Sequence, residues 1–329
     1  MKTIRVDFVG FWPGFKKEDN FIYNKLKLIY NIQIVEKPDY IFCSCFSNEY
    51  LKYDCIRIFY TGENISPDFN AYDYAIGYDY LQFEDRYVRL PNYFITDAYA
   101  ADMVRMQKKH LENENILDIK EEFCSFVVSK GTGYVDSRRE EFFKLLCRYK
   151  KVNSGGRFLN NIGLPEGVSD KFLFQNKHKF AIAFENVSHN GYTTEKIVQA
   201  FAAKTVPIYW GDPKISEVFN TAAFIDCCQY QDFDAVISFI RQIDQNDKLY
   251  MQMLNTPALL KQDCVIQKEK EFEVFLYHIF DQEYEHAYRR DRTGYGRMHC
   301  DNIKKVEKIR QSKLYRFLEK KDVIFSKSW

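Results

Sequence analysis

The stretch FAIAFENVSHNGYTTEKIVQAFAAKTVPIYWGDP, residues 180–213, decides the fold of this chain. Its first five residues are apolar, which is typical of a strand buried on both faces of a parallel sheet. Polar turn residues follow, and then Thr193 or Thr194 can cap a helix that runs to about Lys204. A second apolar run precedes the closing WGDP. The stretch therefore predicts a strand, a helix and a strand in succession, and with them an α/β fold.

The start of this predicted helix suits an anion. The first N–H groups of a helix lack partners within it, and the helix dipole attracts negative charge there, so we expect a diphosphate with Lys196 beside it. Asn186, Tyr192 and Glu195 offer an amide, a phenol and a carboxylate to sugar hydroxyls. The combination indicates a nucleotide-sugar site. Taken alone, the same residues also suit a strand cap, a packed ring and ordinary helix-start charges.

The rest of the chain continues the alternation of strands and helices. Strands are predicted at 4–11, 40–45, 56–60 and 123–129, helices at 21–30, 138–149 and 233–243, and a loop at 153–156. Residues 99–122 predict a helix followed by a polar connection. Trp210 is expected to fill a core, and Asp212 to belong to a turn.

A second motif is FYTGENISPDFN, residues 59–70, in which an aromatic strand end is followed by a polar turn. Glu63 stands where a strand delivers side chains into a cleft. A carboxylate in that place can act as a general base. It can also simply accept hydrogen bonds from the amides of its own turn.

These motifs, with YDYAIGYDYLQFEDRYVRLPNYF at 72–94, resemble those of the bacterial α-1,3/4-fucosyltransferases. The FEN, YTTEK and VPIYWGDP pieces occur in that family's order and spacing, and the resemblance runs from about residue 4 to about residue 263. It implies inverting transfer of L-fucose from GDP-fucose to the 3-hydroxyl of N-acetylglucosamine in lactosamine-type glycans. An α-1,4 linkage, another inverting nucleotide-sugar transferase and a non-catalytic glycan-binding protein remain alternatives.

The resemblance also implies a GT-B type fold with two facing Rossmann-like domains. We expect an acceptor-binding domain at 1–120, a GDP-fucose-binding domain at 121–265 and a charged helical C-terminal region at 266–329. The 329 residues are enough for two domains that each bury a core.

The family's site residues can be carried over to matching positions. Glu63 is implied as the general base, and Glu195, the second candidate for that role, as a residue that binds the fucose ring or stabilises its developing positive charge. Arg139 is preferred to Arg138 as a diphosphate ligand because it stands three residues before a Phe-Phe pair. The implied donor-binding residues are Arg139, Asn186, Tyr192, Glu195 and Lys196. On the acceptor side, the ring of Trp12 could stack on a sugar.

Cysteine and histidine spacing gives no sign of a cofactor. The six histidines show no HxxH or HExxH pattern, and the nine cysteines show no CxxC pattern. Asp212-Pro213 and Asp291-Arg292 do not make the DxD sequence with which metal-dependent transferases hold their cation. We therefore expect no metal requirement, with GDP-fucose as donor substrate and a glycan as acceptor. Unpatterned cysteines and an N-terminus without a signal-peptide core predict a cytoplasmic protein. No nucleic-acid-binding motif accompanies the basic residues.

The last part of the chain is basic. Residues 285–329 contain thirteen Lys or Arg and six Asp or Glu, a surplus of +7. One half of a helical wheel over 303–318 is apolar: Ile303, Val306, Ile309, Leu314, Phe317 and Leu318. Such a helix can lie on an anionic membrane surface. Packing on the protein body is the favoured interpretation. No tandem seven-residue repeat is present, so the oligomeric state stays open.

Overall fold

The computed structural model describes residues 1–94, 96–107, 116–131 and 135–320. The chain divides into two compact units. The first comprises Met1–Gly77, Leu81–Arg89 and the chain from Glu271 onwards, and the second comprises Tyr78–Tyr80 and Leu90–Lys270. Each unit contains one parallel β-sheet with helices, which confirms the predicted α/β class with two Rossmann-like units.

The first sheet has six strands. They are β1 (Thr3–Val9), β2 (Asn31–Ile34), β3 (Tyr40–Cys43), β4 (Ile56–Tyr60), β5 (Tyr74–Gly77) and β6 (Tyr87–Arg89). Their order across the sheet is β2-β1-β3-β4-β5-β6, and every neighbouring pair is parallel. The central strands β3, β4 and β5 are buried along their whole length, as expected of a sheet that is covered on both faces.

The second sheet has five strands. They are β7 (Glu122–Phe126), β8 (Val152–Ser154), β9 (His178–Phe184), β10 (Val206–Trp210) and β11 (Ile225–Asp226). Their order is β11-β10-β9-β7-β8, again with all neighbours parallel. This is the doubly wound order in which helices cover both faces of the sheet.

Eleven α-helices lie in the described residues. In chain order they are α1 (Phe21–Leu26), α2 (Thr96–Gln107), α3 (Ile116–Ile119), α4 (Arg138–Tyr149), α5 (Lys171–Asn176), α6 (Glu195–Ala202), α7 (Phe233–Asp244), α8 (Asp247–Asn255), α9 (Cys264–Asp281), α10 (Gly294–Gln311) and α11 (Lys313–Lys320). Short 3₁₀ turns occupy Glu49–Lys52, Asn92–Phe94, Ile215–Glu217, Thr221–Ala223, Cys227–Gln229 and Tyr284–Ala287. None of the described helices is long and apolar enough to cross a membrane.

The core of the second unit surrounds β9, which confirms the importance of the 180–213 stretch. Residues 180–184 are buried, and Trp210 is 5% exposed within the same apolar cluster, so it fills the core as predicted. Helix α6 buries Ile197, Val198 and Phe201 on one face. Helix α4 has the predicted bounds, whereas the polar connection predicted after α2 falls at 108–115, outside the described residues.

The predicted loop at 153–156 is wrong in its first half, because Asn153 and Ser154 belong to strand β8. Their polar side chains are buried but paired. Asn153 Nδ2 donates to Glu122 Oε2 at 3.1 Å, and Ser154 Oγ donates to Phe158 O at 2.9 Å. Satisfied hydrogen bonds let a strand of polar composition remain inside the sheet.

The two compact units divide the chain differently from the sequence-based domains. The second unit takes in the chain from Leu90, including α2, which packs on α6. The chain from Glu271 joins the first unit. Three rings of α9, those of Phe272, Phe275 and Phe280, are buried there. The functional roles assigned to the domains stay predictions.

The single amphipathic helix predicted at 303–318 is wrong. Helix α10 ends at Gln311 and α11 starts at Lys313, because Ser312 between them has an extended backbone with ψ of 146°. Packing of the apolar stripe on the body is also mostly wrong. Ile303 packs against the core of the first unit and Leu318 is half-buried. The other four large side chains of the stripe are exposed: Val306, Ile309, Leu314 and Phe317.

Candidate functional site

The order of the second sheet places a crevice at the ends of β7 and β9. The winding direction reverses between these two strands, and in open α/β sheets ligands bind outside the carboxyl ends of the strands at such a switch point. Strand β9 ends at Phe184, so Glu185 and Asn186 follow directly at this edge. Helix α6, which starts at Glu195, is the next helix along the chain.

Arg139 and Asn186, two predicted donor-binding residues, meet at this edge. Arg139 Nη2 donates to Asn186 Oδ1 at 2.8 Å and to Phe184 O at 2.9 Å. The Arg139 side chain is buried, and its Nε has no hydrogen-bond partner among the described residues. Burial lowers the pKa of Arg139, but a guanidinium stays protonated in proteins. Arg138 instead is exposed and lies over the Trp210 ring.

The buried carboxylate of Glu185 organises the start of α6. Its Oε1 accepts from the N–H of Thr194 at 2.7 Å, and its Oε2 accepts from Thr194 Oγ1 at 2.7 Å and from Lys196 Nζ at 2.9 Å. Thr194 is the residue that caps α6. The helix start therefore already holds an internal anion, which occupies the N–H of the cap residue Thr194. The phosphate site expected at this helix start stays a prediction.

Lys196 lies between two carboxylates. Its Nζ is 2.9 Å from Glu185 Oε2 and 3.5 Å from Glu195 Oε1. Burial opposes its charge, but the two carboxylates outweigh burial and hold the pKa of Lys196 above its ordinary value. Burial likewise opposes the charge of Glu195, yet Lys196 and Lys171 outweigh it and lower the pKa of Glu195. Both predicted residues are therefore held in their charged forms.

A second buried carboxylate, Asp212, holds the loop that precedes α6. Asp212 Oδ1 accepts from the N–H of Gly191 at 2.8 Å, and Oδ2 accepts from Thr193 Oγ1 at 3.1 Å. Oδ1 also accepts from the N–H of Lys214 at 2.8 Å, which confirms that Asp212 belongs to a turn. Tyr192, the predicted phenol, is 3% exposed, and its ring packs edge-on against that of Tyr78 at 5.1 Å.

Lys171 is a charged neighbour of the site that sequence reasoning missed. Its Nζ donates to Gln199 Oε1 at 2.7 Å, one helical turn along α6 from Glu195. Burial lowers the pKa of Lys171 to about 8, against the attraction of Glu195. No local signal marks Lys171, because it precedes β9 and reaches α6 only through the fold. The pairing of Glu185 was missed for the same reason, although its position at a strand end is visible in the sequence.

Glu63 belongs to the first unit, where it is exposed on the loop after β4. Its N–H donates to Thr61 Oγ1 at 2.9 Å, and its carbonyl oxygen accepts from the N–H of Ile65 at 2.8 Å. These two hydrogen bonds, one to a side chain and one within the backbone, fix a tight turn at the carboxyl end of a parallel strand. Sheets of this kind carry functional side chains at that end.

Trp12 also belongs to the first unit, on the loop after β1. The ring is 41% exposed, and its other side packs edge-on against Phe15 and Phe11. Trp12 is therefore available to a ligand and supported from behind. Its assignment to acceptor binding stays a prediction, as do the roles of the other predicted site residues.

Two family models match most of the chain. The N-terminal domain of alpha-(1,3)-fucosyltransferase FucT matches residues 6–96, and the C-terminal part of glycosyltransferase family 10 (fucosyltransferase) matches residues 117–320. This chain belongs to glycosyltransferase family 10. The switch-point residues of the second sheet lie in the family 10 match, and Glu63 and Trp12 lie in the N-terminal match.

Relatives in glycosyltransferase family 10 agree with this assignment. An alpha-(1,3)-fucosyltransferase of Helicobacter pylori is 34% identical over 225 residues, which are 60% of this chain and 46% of that protein. The chain spans less than half the length of the curated relatives it matches.

Solved structures extend the match to the fold. A crystal structure of an α1,3-fucosyltransferase with GDP-fucose has a TM-score of 0.70 at 26% identity and covers 86% of this chain and 93% of that chain. A second crystal structure, of an α1,3-fucosyltransferase with GDP, has the same TM-score at 27% identity, covering 86% and 92%. The match confirms the predicted GT-B type of fold and its resemblance to fucosyltransferases.

Proposed function

We propose that this family 10 protein transfers L-fucose from GDP-fucose to the 3-hydroxyl of N-acetylglucosamine in lactosamine-type glycans, with inversion at the anomeric carbon. The observation that carries the proposal is the cluster at the switch point of the second sheet. Arg139 bonds Asn186 there, and Lys196 pairs with buried Glu185 and with Glu195. Arg139, Asn186, Glu195 and Lys196 are all assigned from sequence. Relatives whose structures hold GDP-fucose and GDP support the choice of donor.

The donor end needs cations, since the diphosphate gains negative charge as the glycosidic bond breaks. Lys196 and Arg139 are charged groups held in place before the reaction, which is the preorganised form of electrostatic stabilisation. Asn186 and Tyr192 add an amide and a phenol for hydroxyl groups of the donor. Glu195, ionised beside Lys196, suits a role in binding fucose or in stabilising the positive charge that develops on its ring.

The acceptor end needs a base. The exposed carboxylate of Glu63 takes the proton of the acceptor hydroxyl. At the same time the hydroxyl oxygen of the acceptor attacks the anomeric carbon of fucose from the face opposite GDP. A β-linked donor then gives an α-fucoside. Glu195 is the second candidate base, an α-1,4 linkage is the alternative product, and another inverting nucleotide-sugar transferase is the alternative enzyme. The proposed reaction requires no metal.

The proposal is tested by incubating the full chain with GDP-fucose and N-acetyllactosamine and measuring GDP release and the linkage of the product. We expect fucose on the glucosamine 3-hydroxyl and the same rate in the presence of EDTA. Glu63→Gln removes the base but keeps the size of the side chain, so kcat is expected to fall about 100-fold or more while GDP binding is kept.

The matched control is Glu36→Gln, which neutralises another exposed carboxylate of the first unit. It should leave kcat unchanged. If Glu63→Gln transfers fucose at the native rate, Glu63 is not the base. If fucose transfer is lost only in Glu195→Gln, Glu195 is the base. A folded native protein that fails to bind GDP would contradict the proposal as a whole.

A further inference from the structure

The first sheet has a switch point of its own, between β1 and β3. The loops that follow these two strands are joined by backbone hydrogen bonds. The N–H of Ser44 donates to Val9 O at 3.1 Å, and the N–H of Phe46 donates to Gly10 O at 3.0 Å. The loops after β1 and β3 are therefore held side by side at this edge of the sheet.

Gly10 permits this close approach. Its φ is +69°, and a Cβ at this position would lie 2.9 Å from Ser44 O and 3.0 Å from Ser47 O. A side chain would push the loops apart, and its backbone would be strained. The Oγ of Ser44 is buried in this region without a hydrogen-bond partner among the described residues.

Each of the two loops presents one exposed ring. Trp12 is 41% exposed and Phe46 is 47% exposed. Their ring centroids are 6.3 Å apart and their planes meet at 77°, so the two rings form an aromatic corner. Phe15 supports Trp12 from behind at 5.1 Å. Two rings at this angle present two apolar surfaces that a ligand can contact at the same time.

The aromatic corner is connected to the loop of Glu63. Cys45 Sγ, next to Phe46, lies 3.4 Å from Thr61 Oγ1, and this oxygen accepts from the N–H of Glu63. Strands β1, β3 and β4 are consecutive neighbours, so the loops after β1 and β4 are about two strand spacings, ~10 Å, apart. The corner and Glu63 therefore lie on one edge of one sheet.

We infer that the aromatic corner of Trp12 and Phe46 binds the galactose of a lactosamine-type acceptor. The inference rests on the proposed function. If Glu63 takes the proton of the N-acetylglucosamine 3-hydroxyl, that sugar occupies the Glu63 loop, and the separate position of the corner falls to the neighbouring sugar. Galactose carries the C–H groups of carbons 3, 4 and 5 on one face, and this apolar surface stacks on an aromatic ring.

The kinetic test compares two acceptors, N-acetyllactosamine and N-acetylglucosamine alone. In Trp12→Leu and Phe46→Leu the ratio of kcat/KM for the disaccharide to that for the monosaccharide is expected to fall roughly tenfold, a typical contribution of an aromatic contact. Trp12→Phe keeps a ring and should restore most of the ratio. Phe83→Leu, which removes a 38% exposed ring elsewhere in the first unit, should leave the ratio unchanged.

An unchanged ratio in both leucine variants would overturn the inference. This holds even if kcat/KM falls for both acceptors, because an equal fall for the disaccharide and the monosaccharide indicates a general disturbance of the loops. The inference is also tested without turnover. In saturation-transfer NMR with N-acetyllactosamine, the galactose protons H3, H4 and H5 should receive the strongest saturation in the native chain and in Phe83→Leu, and lose it in the two leucine variants.

The two tests separate the inference from the proposed function. A native chain that saturates the galactose face but transfers no fucose would support the aromatic corner and contradict the proposed reaction. In the opposite case, the native chain transfers fucose to N-acetyllactosamine, but both sugars receive equal saturation in the native protein and in the leucine variants. That result would support the reaction and overturn the inference that the aromatic corner binds galactose.

Discussion

At the scale of single residues, the site depends on a carboxylate whose two oxygens are both bonded to neighbouring protein groups. Glu185 is fully buried and uses both oxygens on Thr194 and Lys196. Gly211 makes room for it, because a Cβ on Gly211 would lie 2.5 Å from Glu185 Cγ. A buried charge is tolerated when it is paired and hydrogen-bonded. Glu185 thus positions Lys196 and keeps it charged.

We predict that Glu185→Gln lowers the pKa of Lys196. In the native protein this pKa lies above the ordinary value of 10.5. The charge of Lys196 therefore stabilises the fold below the unfolded-state pKa, and the effect is lost as the pH rises through the folded-state pKa. Removing one partner of a buried pair is expected to cost about 3 kcal/mol of the free energy of unfolding at neutral pH. Reactivity of Lys196 towards acetic anhydride, followed by mass spectrometry across pH, measures the pKa directly.

Asp212→Asn is the matched control for Glu185→Gln. It removes the buried carboxylate after β10 that holds the loop before α6, where it bonds Gly191 and Thr193. It also bonds the N–H of Lys214. The reactivity profile of Lys196 should then match that of the native chain. An equal change of the profile in both variants would show that loop order, and not the charge of Glu185, sets the pKa.

At the scale of secondary structure, the connection between β9 and α6 is held by its backbone as much as by its side chains. Gly191 has φ of +85°, and a Cβ there would lie 2.4 Å from Tyr78 O. The loop therefore requires glycine for two reasons, conformation and space. Its neighbours Tyr192 and Thr193 owe their placement to this turn.

Gly191→Ala is expected to destabilise the second unit by more than the ordinary cost of an alanine at positive φ, about 1–2 kcal/mol, and to weaken GDP binding. Gly163→Ala isolates the backbone contribution, because Gly163 has φ of +75° with nothing within 4 Å of a Cβ. Urea unfolding of both variants measures the difference. Equal free energies of unfolding would mean that the loop moves away from Tyr78 at no cost.

At the scale of the whole molecule, the C-terminal part of the chain, from Glu271 onwards, belongs to the same unit as the N-terminal part. Buried Asp73, beside β5, accepts from the N–H groups of Arg289 and Arg290, each at 2.9 Å, and from Arg290 Nη1. Asp85 pairs in the same unit with Arg289 and with His278. The C-terminal segment thus supplies the counter-charges of the first sheet and is not a detached basic tail.

Two truncations test this division of the C-terminal region. Deletion of 313–329 removes the exposed side chains of Leu314 and Phe317 and is expected to leave the free energy of unfolding nearly unchanged. Deletion of 287–329 also removes Arg289 and Arg290, and leaves Asp73 only the N–H of Arg57 among these hydrogen-bond partners. It should cost about 3–5 kcal/mol, as for a buried ion pair that loses one side. Arg290→Met, which removes the guanidinium alone, should reproduce much of this loss. Equal stability of both truncated chains in urea would contradict this account.

Local sequence determined a large part of this protein. The apolar runs of β1, β3, β4 and β9, and the bounds of α4, follow from periodicity and turn residues, which act over a few neighbouring residues. The motifs that carry Glu63, Arg139, Asn186, Glu195 and Lys196 are likewise continuous in the chain, so they and the family could be recognised from the sequence.

Tertiary structure alone decided which of these residues meet. The pairing of Glu185 with Lys196, the approach of Lys171 to α6 and the corner of Trp12 and Phe46 all depend on strand order and helix packing. Hydrophobic periodicity contains no information on strand order. The short strands β8 and β11 exist because they pair with β7 and β10 inside the sheet. Local preferences therefore determined the elements, whereas burial and long-range hydrogen bonding decided the site.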